Sequence, residues 1–379
     1  MDTTFTEEQE ILRKAAADFL AKEIPEKKVR EIEESELGYD PHIWQSMADL
    51  GWMGLVIPEK YGGMGMSFQD LTIILEEMGK NIAPGPFFST ILGGAYPILE
   101  AGTEEQKKKF LPRIAKGELI FSFAILESQA ICDASDMKTK AVRKNGSFVL
   151  NGTKLFVEQA NNAHYLICVT RTSTATPPEE GITLFIVDTK SPGITIEVMP
   201  TIAMDRLCEV KFKAVDVPAE NMLGEENKGW ILAKNIIERA AIAKACESLG
   251  AMEAIVPLTV EYLKQRVQFD QPLAQFQALQ HILADMFIRV VAGKYLVYEA
   301  AWMKSEGLPC TKQVAMAKAY VNVAYNELSR LMIRLYGGNG TNREFKPGLY
   351  YRRAKAAAVA FGGTDFLREI VAKEIGLVS

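Results

Sequence analysis

The chain has 379 residues, 48% of them hydrophobic and 24% charged, with a net charge of −5. That length and composition suit a globular protein of two or three packed units and contain no apolar run long enough to span a membrane. Residues 226–379 hold 20 of the 43 basic residues and 14 of the 48 acidic ones. This mild local excess suits phosphate-bearing ligands, but it is not the dense basic face that nucleic acid requires.

The N-terminal stretch MDTTFTEEQEILRKAAADFL carries acid where a signal peptide carries base, which points to the cytoplasm. Thr6-Glu-Glu-Gln9 forms a capping box, and Ile11, Leu12, Ala15 and Phe19 follow at helical spacing. A second helix is expected over Pro41–Leu55, a turn at Tyr61–Gly65, and a helix from Ser67 through Met78. A second capping box, Thr103-Glu-Glu-Gln106, opens another. From Ile120 the period changes. Short β-branched runs at 119–125, 147–152, 165–170, 182–187, 194–198 and 209–212 are separated by Gly, Pro and Asn and read as strands.

After Gly224 the helical period returns. Gly229 to Gln268 is one long pattern, nearly apolar all round between Ile236 and Ile255, as in a bundle centre, with a kink expected at Pro257. Helices are expected at 276–306, 311–336, 347–358 and 366–375. The division is therefore a helical domain over 1–120, a β-domain over 121–225 and a helical bundle over 226–379. The scattered cysteines at 132, 168, 208, 246 and 310 read as buried thiols in a reducing compartment, and the distant His42, His164 and His281 give no reason to expect a metal.

The stretch Arg266–Gln280, RVQFDQPLAQFQALQ, combines an apolar stripe of Phe276, Leu279 and Leu283 with fixed donors on Arg266, Gln277 and Gln280. Such donors suit the pyrophosphate and adenosine of a dinucleotide. Together with Gly337, Gly338 and Gly340 of Tyr336-Gly-Gly-Asn-Gly340, this stretch resembles the C-terminal half of the acyl-CoA dehydrogenase family. The resemblance spans the chain. It implies an α+β fold with an N-terminal helical domain, a middle β-barrel-like domain and a C-terminal four-helix bundle, assembled as a dimer of dimers. Ala83–Thr90 resembles bacterial branches acting on dicarboxylic, steroid or alicyclic acyl-CoAs, whose subunits often come in unlike pairs. FAD is the implied cofactor, with its adenosine and pyrophosphate end on Arg266 and Phe269 of one chain and the Gly337–Gly340 region of a neighbour. Acyl-CoA is the implied substrate and electron-transfer flavoprotein the implied acceptor. Homotetramer and heterotetramer with a sister chain both fit the resemblance.

In the family a carboxylate removes the Cα proton while flavin takes a hydride from Cβ. Many members carry that glutamate in a Tyr-Glu-Gly-Thr turn. The matching turn here is Phe361-Gly-Gly-Thr364, and Gly362 cannot take a proton. The family's alternative position is Glu238, just before Arg239, which the resemblance places at the substrate. Ile231, Ile242, Ala245 and Leu249 share the Glu238 face by spacing, so its carboxylate is expected to be desolvated. The flavin segment also differs from the family pattern. In Leu126-Glu-Ser-Gln-Ala-Ile-Cys-Asp133, Leu126 replaces a threonine on the pyrimidine edge and Cys132 a serine on phosphate. In Lys154-Leu-Phe-Val-Glu158, Phe156 can stack on the isoalloxazine, whereas Glu158 replaces a threonine that meets N5. Asp270 stands where a glycine is usual. Two readings follow: an FAD-dependent dehydrogenase using Glu238, or a silent subunit that completes the FAD site of a sister chain.

Overall fold

The computed structural model describes residues 5–130 and 132–377. Residues 1–4 of the N-terminal stretch and Ile131 of the Leu126–Asp133 segment lie outside the described residues. Helices α1 (Glu7–Glu23), α2 (Glu26–Glu34), α3 (Pro41–Asp49), α4 (Phe68–Lys80), α5 (Phe87–Thr90), α6 (Tyr96–Ala101) and α7 (Glu104–Ala115) come first. Strands β1 (Phe121–Ala124), β2 (Lys140–Lys144), β3 (Ser147–Glu158), β4 (Tyr165–Arg171), β5 (Ile182–Asp188), β6 (Ile194–Met199), β7 (Leu207–Pro218) and β8 (Met222–Leu223) follow. Then come α8 (Gly229–Gln265), β9 (Val267–Gln268), β10 (Gln271–Pro272), α9 (Gln277–Ser305), α10 (Thr311–Tyr336), α11 (Gly338–Thr341), α12 (Pro347–Ala357) and α13 (Thr364–Glu374).

Both capping boxes form. The Thr6 and Thr103 hydroxyls accept from the Gln9 and Gln106 amides, and each Gln side chain accepts from its cap residue. The expected Pro41–Leu55 helix ends instead at Asp49. The chain turns at Gly51, which has a positive φ of 81°, and resumes as a short 3-10 turn. At the other end α8 runs unbroken through Pro257, so the missing donor is tolerated inside a 37-residue helix.

The chain forms two compact units. One comprises residues Glu31–Ser67 and Pro84–Ala240. Its sheet has the strand order β6-β7-β3-β2-β4-β5-β8, with β1 added in parallel on β4. The order has two ends, β6 and β8, so the barrel-like sheet is open and not a closed barrel. β4 and β5 are buried along nearly their whole length, which explains why they read as continuous apolar runs. Phe148 and Phe185 pack 4.8 Å apart between ring centres, and Phe110, Phe121 and Tyr165 form an aromatic cluster with spacings of 5.1 to 5.6 Å. The other unit comprises Met1–Arg30, Phe68–Ala83 and Ala241–Ser379. Here α10 packs against α9, α12 and α13, with Leu328, Met332 and Val321 wholly buried.

Candidate functional site

The residues expected at the phosphate end of the cofactor lie in the helical unit. α8 ends at Gln265 and leaves Arg266 exposed. Among the described residues no carboxylate pairs with the Arg266 guanidinium. A two-residue hairpin follows, β9 pairing with β10 across Phe269 and Asp270. Both turn residues are left-handed, with φ of 55° and 62°, the conformation a tight type I′ turn needs at both centres. Neither is Asn or Gly, and Asp270 takes the left-handed position where the family resemblance expects a glycine. It presents Phe269 at 84% exposure, edge-on to Phe276. Gln277 and Gln280 are exposed at the start of α9, and the Gln280 amide donates to the Ala274 carbonyl at 2.8 Å.

The glycine turn is bound to the same end of α8. Tyr262 and Tyr336 stack 3.9 Å apart at 10°. The Tyr262 hydroxyl donates to the Tyr336 carbonyl, the Tyr336 hydroxyl to the Leu258 carbonyl, and the Asn339 amide to the Tyr262 hydroxyl, at 3.0 to 3.2 Å. Gly340 is buried, and a Cβ there would lie 2.3 Å from the Ile333 carbonyl oxygen, so only glycine allows that packing. Side chains at Gly337 and Gly338 would meet open space. Arg266 and the turn are thus brought together by a tyrosine pair that had no recognised role in the sequence, although Tyr336 directly precedes the glycines.

The residues expected beside the flavin lie in the sheet-bearing unit. The Leu155 amide donates to the Leu126 carbonyl at 2.9 Å, so the segment that opens at Leu126 runs beside β3. β3 bulges opposite β7 between Lys154 and Val157. Phe156 takes a left-handed φ of 55° there. The bulge turns its ring outward to 40% exposure and returns Val157 to the core. At the end of the strand Glu158 is half-buried, and its carbonyl accepts from the Ser122 hydroxyl at 2.6 Å. The Cys132 side chain keeps some exposure, yet desolvation pushes its thiol up to about 12. A neutral thiol and the Leu126 side chain offer phosphate and pyrimidine no strong donor.

Two cations hold this segment from behind. Lys154 is fully buried, and its ammonium donates to Glu127 Oε1 at 2.7 Å and to the Ile125 carbonyl at 2.9 Å. Glu127 also accepts from the Thr139 and Lys138 amides, at 3.0 and 2.8 Å. Burial pushes the Glu127 carboxyl up, but Lys154 and these amides outweigh it and hold it below the usual range. Arg171, on β4, donates to the carbonyls of Met137, Ala134 and Pro178, at 2.8, 2.5 and 3.1 Å. Glu127 and Lys154 are 27 residues apart and Arg171 is further on, so periodicity could not link them.

Glu238 is half-buried on α8, and Ile242, Ala245 and Leu249 on its spacing are buried. Ile231 is 74% exposed and does not belong to that apolar face. Arg239 pairs with Glu100 and stacks on Tyr96, its guanidinium 4.6 Å from the ring centre. In the helical unit, Gly362 has φ of +125°, and a Cβ there would approach Leu367 to 3.0 Å. An L side chain is strained in that conformation, so this turn is not built to carry a glutamate.

Three family profiles cover nearly the whole chain: the N-terminal domain of acyl-CoA dehydrogenase over 6–118, its middle domain over 122–215 and its C-terminal domain over 227–376. An acyl-CoA dehydrogenase of Bacillus subtilis is 34% identical, over 97% of this chain and 98% of its own. The chain belongs to the acyl-CoA dehydrogenase family. The caffeyl-CoA reductase-Etf complex subunit CarC of Acetobacterium woodii is 32% identical over 97% of each chain. The structure of butyryl-CoA dehydrogenase from Megasphaera elsdenii matches with a TM-score of 0.91 at 32% identity, covering 99% of this chain and all of the other. FAD is the cofactor of this family. The exposed Arg266 fork and the open space over Gly337 and Gly338 fit its phosphate end. On the ring side Phe156 fits, while Leu126 and Cys132 supply less than the family pattern. Among the described residues no helix is long and apolar enough to cross a membrane.

Proposed function

We propose that this chain is a working acyl-CoA dehydrogenase in which Glu238 removes the Cα proton of an acyl thioester. The observation that carries this assignment is the Gly362 turn, whose backbone and Leu367 contact leave no place for a base. Glu238 is then the carboxylate left at a position where the family carries one. The Glu238 carboxylate takes the proton from Cα, and a carbon–carbon double bond forms as hydride leaves Cβ. FAD, when bound, supplies the acceptor for that hydride. Arg266, Phe269, Gln277 and Gln280 of one chain and the Gly337–Gly340 turn of a neighbour hold its phosphate and adenosine end, and Phe156 supports the ring. Arg239, fixed by Glu100 and Tyr96, shapes the acyl side. Electron-transfer flavoprotein is the proposed acceptor, which the name of the Acetobacterium relative's complex supports. The assembly proposed is a homotetramer or a heterotetramer.

The test is anaerobic bleaching of the flavin by a panel of acyl-CoA thioesters. A positioned general base contributes about 10²–10⁴-fold, so Glu238→Gln should lose bleaching by that factor while keeping flavin. Normal bleaching in that variant would place the base elsewhere. Leu126, Cys132 and Glu158 favour a second reading, a silent subunit completing a sister chain's site. In that case the purified chain holds no flavin and bleaches only after the sister chain is added.

A further inference from the structure

Lys318 lies on α10 among apolar neighbours and is fully buried. Its amine donates to the Ala357 carbonyl at 2.7 Å, at the end of α12, and to Asn322 Oδ1 one helical turn away. The Asn322 amide in turn donates to the Gly362 carbonyl at 3.2 Å. One buried amine therefore ties both ends of the connection between α12 and α13, which contains the Phe361–Gly363 turn. Phe361 is left-handed at φ 53°, as Gly362 is at 125°, so the turn needs outside support to persist.

We propose that Lys318 is a positioning residue for the Phe361–Gly363 turn, acting through Asn322, and that gain of a proton by its amine weakens that hold. A neutral amine has two donors and meets two acceptors here. An ammonium has three donors, one of which is then left without an acceptor in the core. Burial pushes the amine down to about 7, with Lys244 of α8 acting in the same direction and Glu247 of α8 opposing it. Lys244 and Glu247 pair with each other at 2.6 Å. On α12, Lys355 is engaged with Asn326 and Tyr351, and on α13 Asp365 pairs with Arg368. No carboxylate among the described residues pairs with Lys318, so its charge state follows the solution.

The functional weight of the turn rests on the dehydrogenase reading, because the turn occupies the place of the family's usual base. Hydrogen exchange tests the positioning claim without that reading. In the holoprotein, amides of residues 358–363, corrected for intrinsic rates, should exchange about fivefold to tenfold faster at about pH 6 than at about pH 9, the loss of one net hydrogen bond. Lys318→Met should be fast at both. Asn322→Asp gives the ammonium a carboxylate but removes the amide that donates to the Gly362 carbonyl, so these amides should exchange fast at both pH values although the lysine is paired. Protection that ignores pH in the parent overturns the proposal, as does Lys318→Met that lowers the melting temperature but leaves these amides protected. Butyryl-CoA binding measured on the same samples reports separately on the dehydrogenase reading. If exchange behaves as expected and no thioester binds, the turn is positioned as proposed and the functional reading fails.

Discussion

Lys154 and Lys318 are both wholly buried, and their surroundings differ in one group. Lys154, in the sheet-bearing unit, faces Glu127 at 2.7 Å, with two backbone amides completing the carboxylate. Lys318, in the helical unit, faces a carbonyl and a side-chain amide oxygen, both neutral. A buried ion is kept only where an opposite charge and hydrogen bonds replace its water. With a carboxylate present, the pair becomes a permanent fixture behind the Leu126–Met137 segment. Without one, burial brings the amine to about 7, where ordinary changes of pH move its proton. The same residue type is thus a rivet in one unit and a titrating support in the other.

The largest expected effect comes from making Lys154 resemble Lys318. Glu127→Ala leaves a buried ammonium with no counter-charge, which costs about 3–5 kcal/mol. Urea unfolding should show that loss, and the double variant Glu127→Leu with Lys154→Met should recover most of it, because an apolar replacement of the whole pair is close to neutral. A small loss in the single variant would mean that Glu127 was not holding the charge.

Arg171 sharpens the comparison from another side. It too donates to neutral carbonyls, as Lys318 does, but a guanidinium cannot give up its proton in this setting. It therefore holds Ala134 and Met137 at every accessible pH. Arg171→Met should cost about 2–3 kcal/mol, the scale of a charge-assisted hydrogen-bond set, and should expose residues 132–137 to proteolysis. Unfolding that is unchanged in that variant would reduce Arg171 to a surface contact.

These pairings also show what the sequence could disclose. Capping boxes at Thr6 and Thr103 and the strands over 165–170 and 182–187 were legible because their signals are local: a cap three residues from its partner, an apolar run. The break at Gly51 was missed because the apolar pattern continues across it. The hairpin at Phe269 and Asp270 carries no Asn-Gly or Asp-Gly pair, so only the resemblance, with Asp270 in the place of a glycine, pointed to a turn there. The resemblance implied a barrel-like sheet, and strand order, which leaves it open at β6 and β8, is not written in periodicity. At the site, the resemblance pointed to Arg266 and the glycines, but the Tyr262–Tyr336 stack that joins them spans 74 residues. Lys318 left one trace, a lysine at helical spacing from Val314, Val321 and Tyr325 on a face that is apolar apart from Asn322. What its amine meets could not be read from that spacing.

The smallest effect, and the one that most directly separates the two lysines, is on the pH dependence of stability. The Lys318 amine sits at about 7 when folded, below its ordinary 10.5. A base lowered by folding contributes stability that is complete above the ordinary value and is lost as pH falls toward the folded value. Between those limits the unfolded chain binds the proton and the folded chain does not, so acidification favours unfolding. Each pH unit in that window is worth at most about 1.4 kcal/mol. Relaxation and entering water reduce this, so about 1–2 kcal/mol should disappear between about pH 9 and about pH 7. Urea midpoints across that range should fall in the parent and fall less in Lys318→Met, which has no proton to gain. Glu127 works in the same sense but in a separate window, since its lowered carboxyl loses stability only in acid, below its ordinary 4.5. A parent whose stability is flat from pH 9 to 7 would mean that Lys318 keeps its charge in the core, and the contrast between the two buried lysines would collapse.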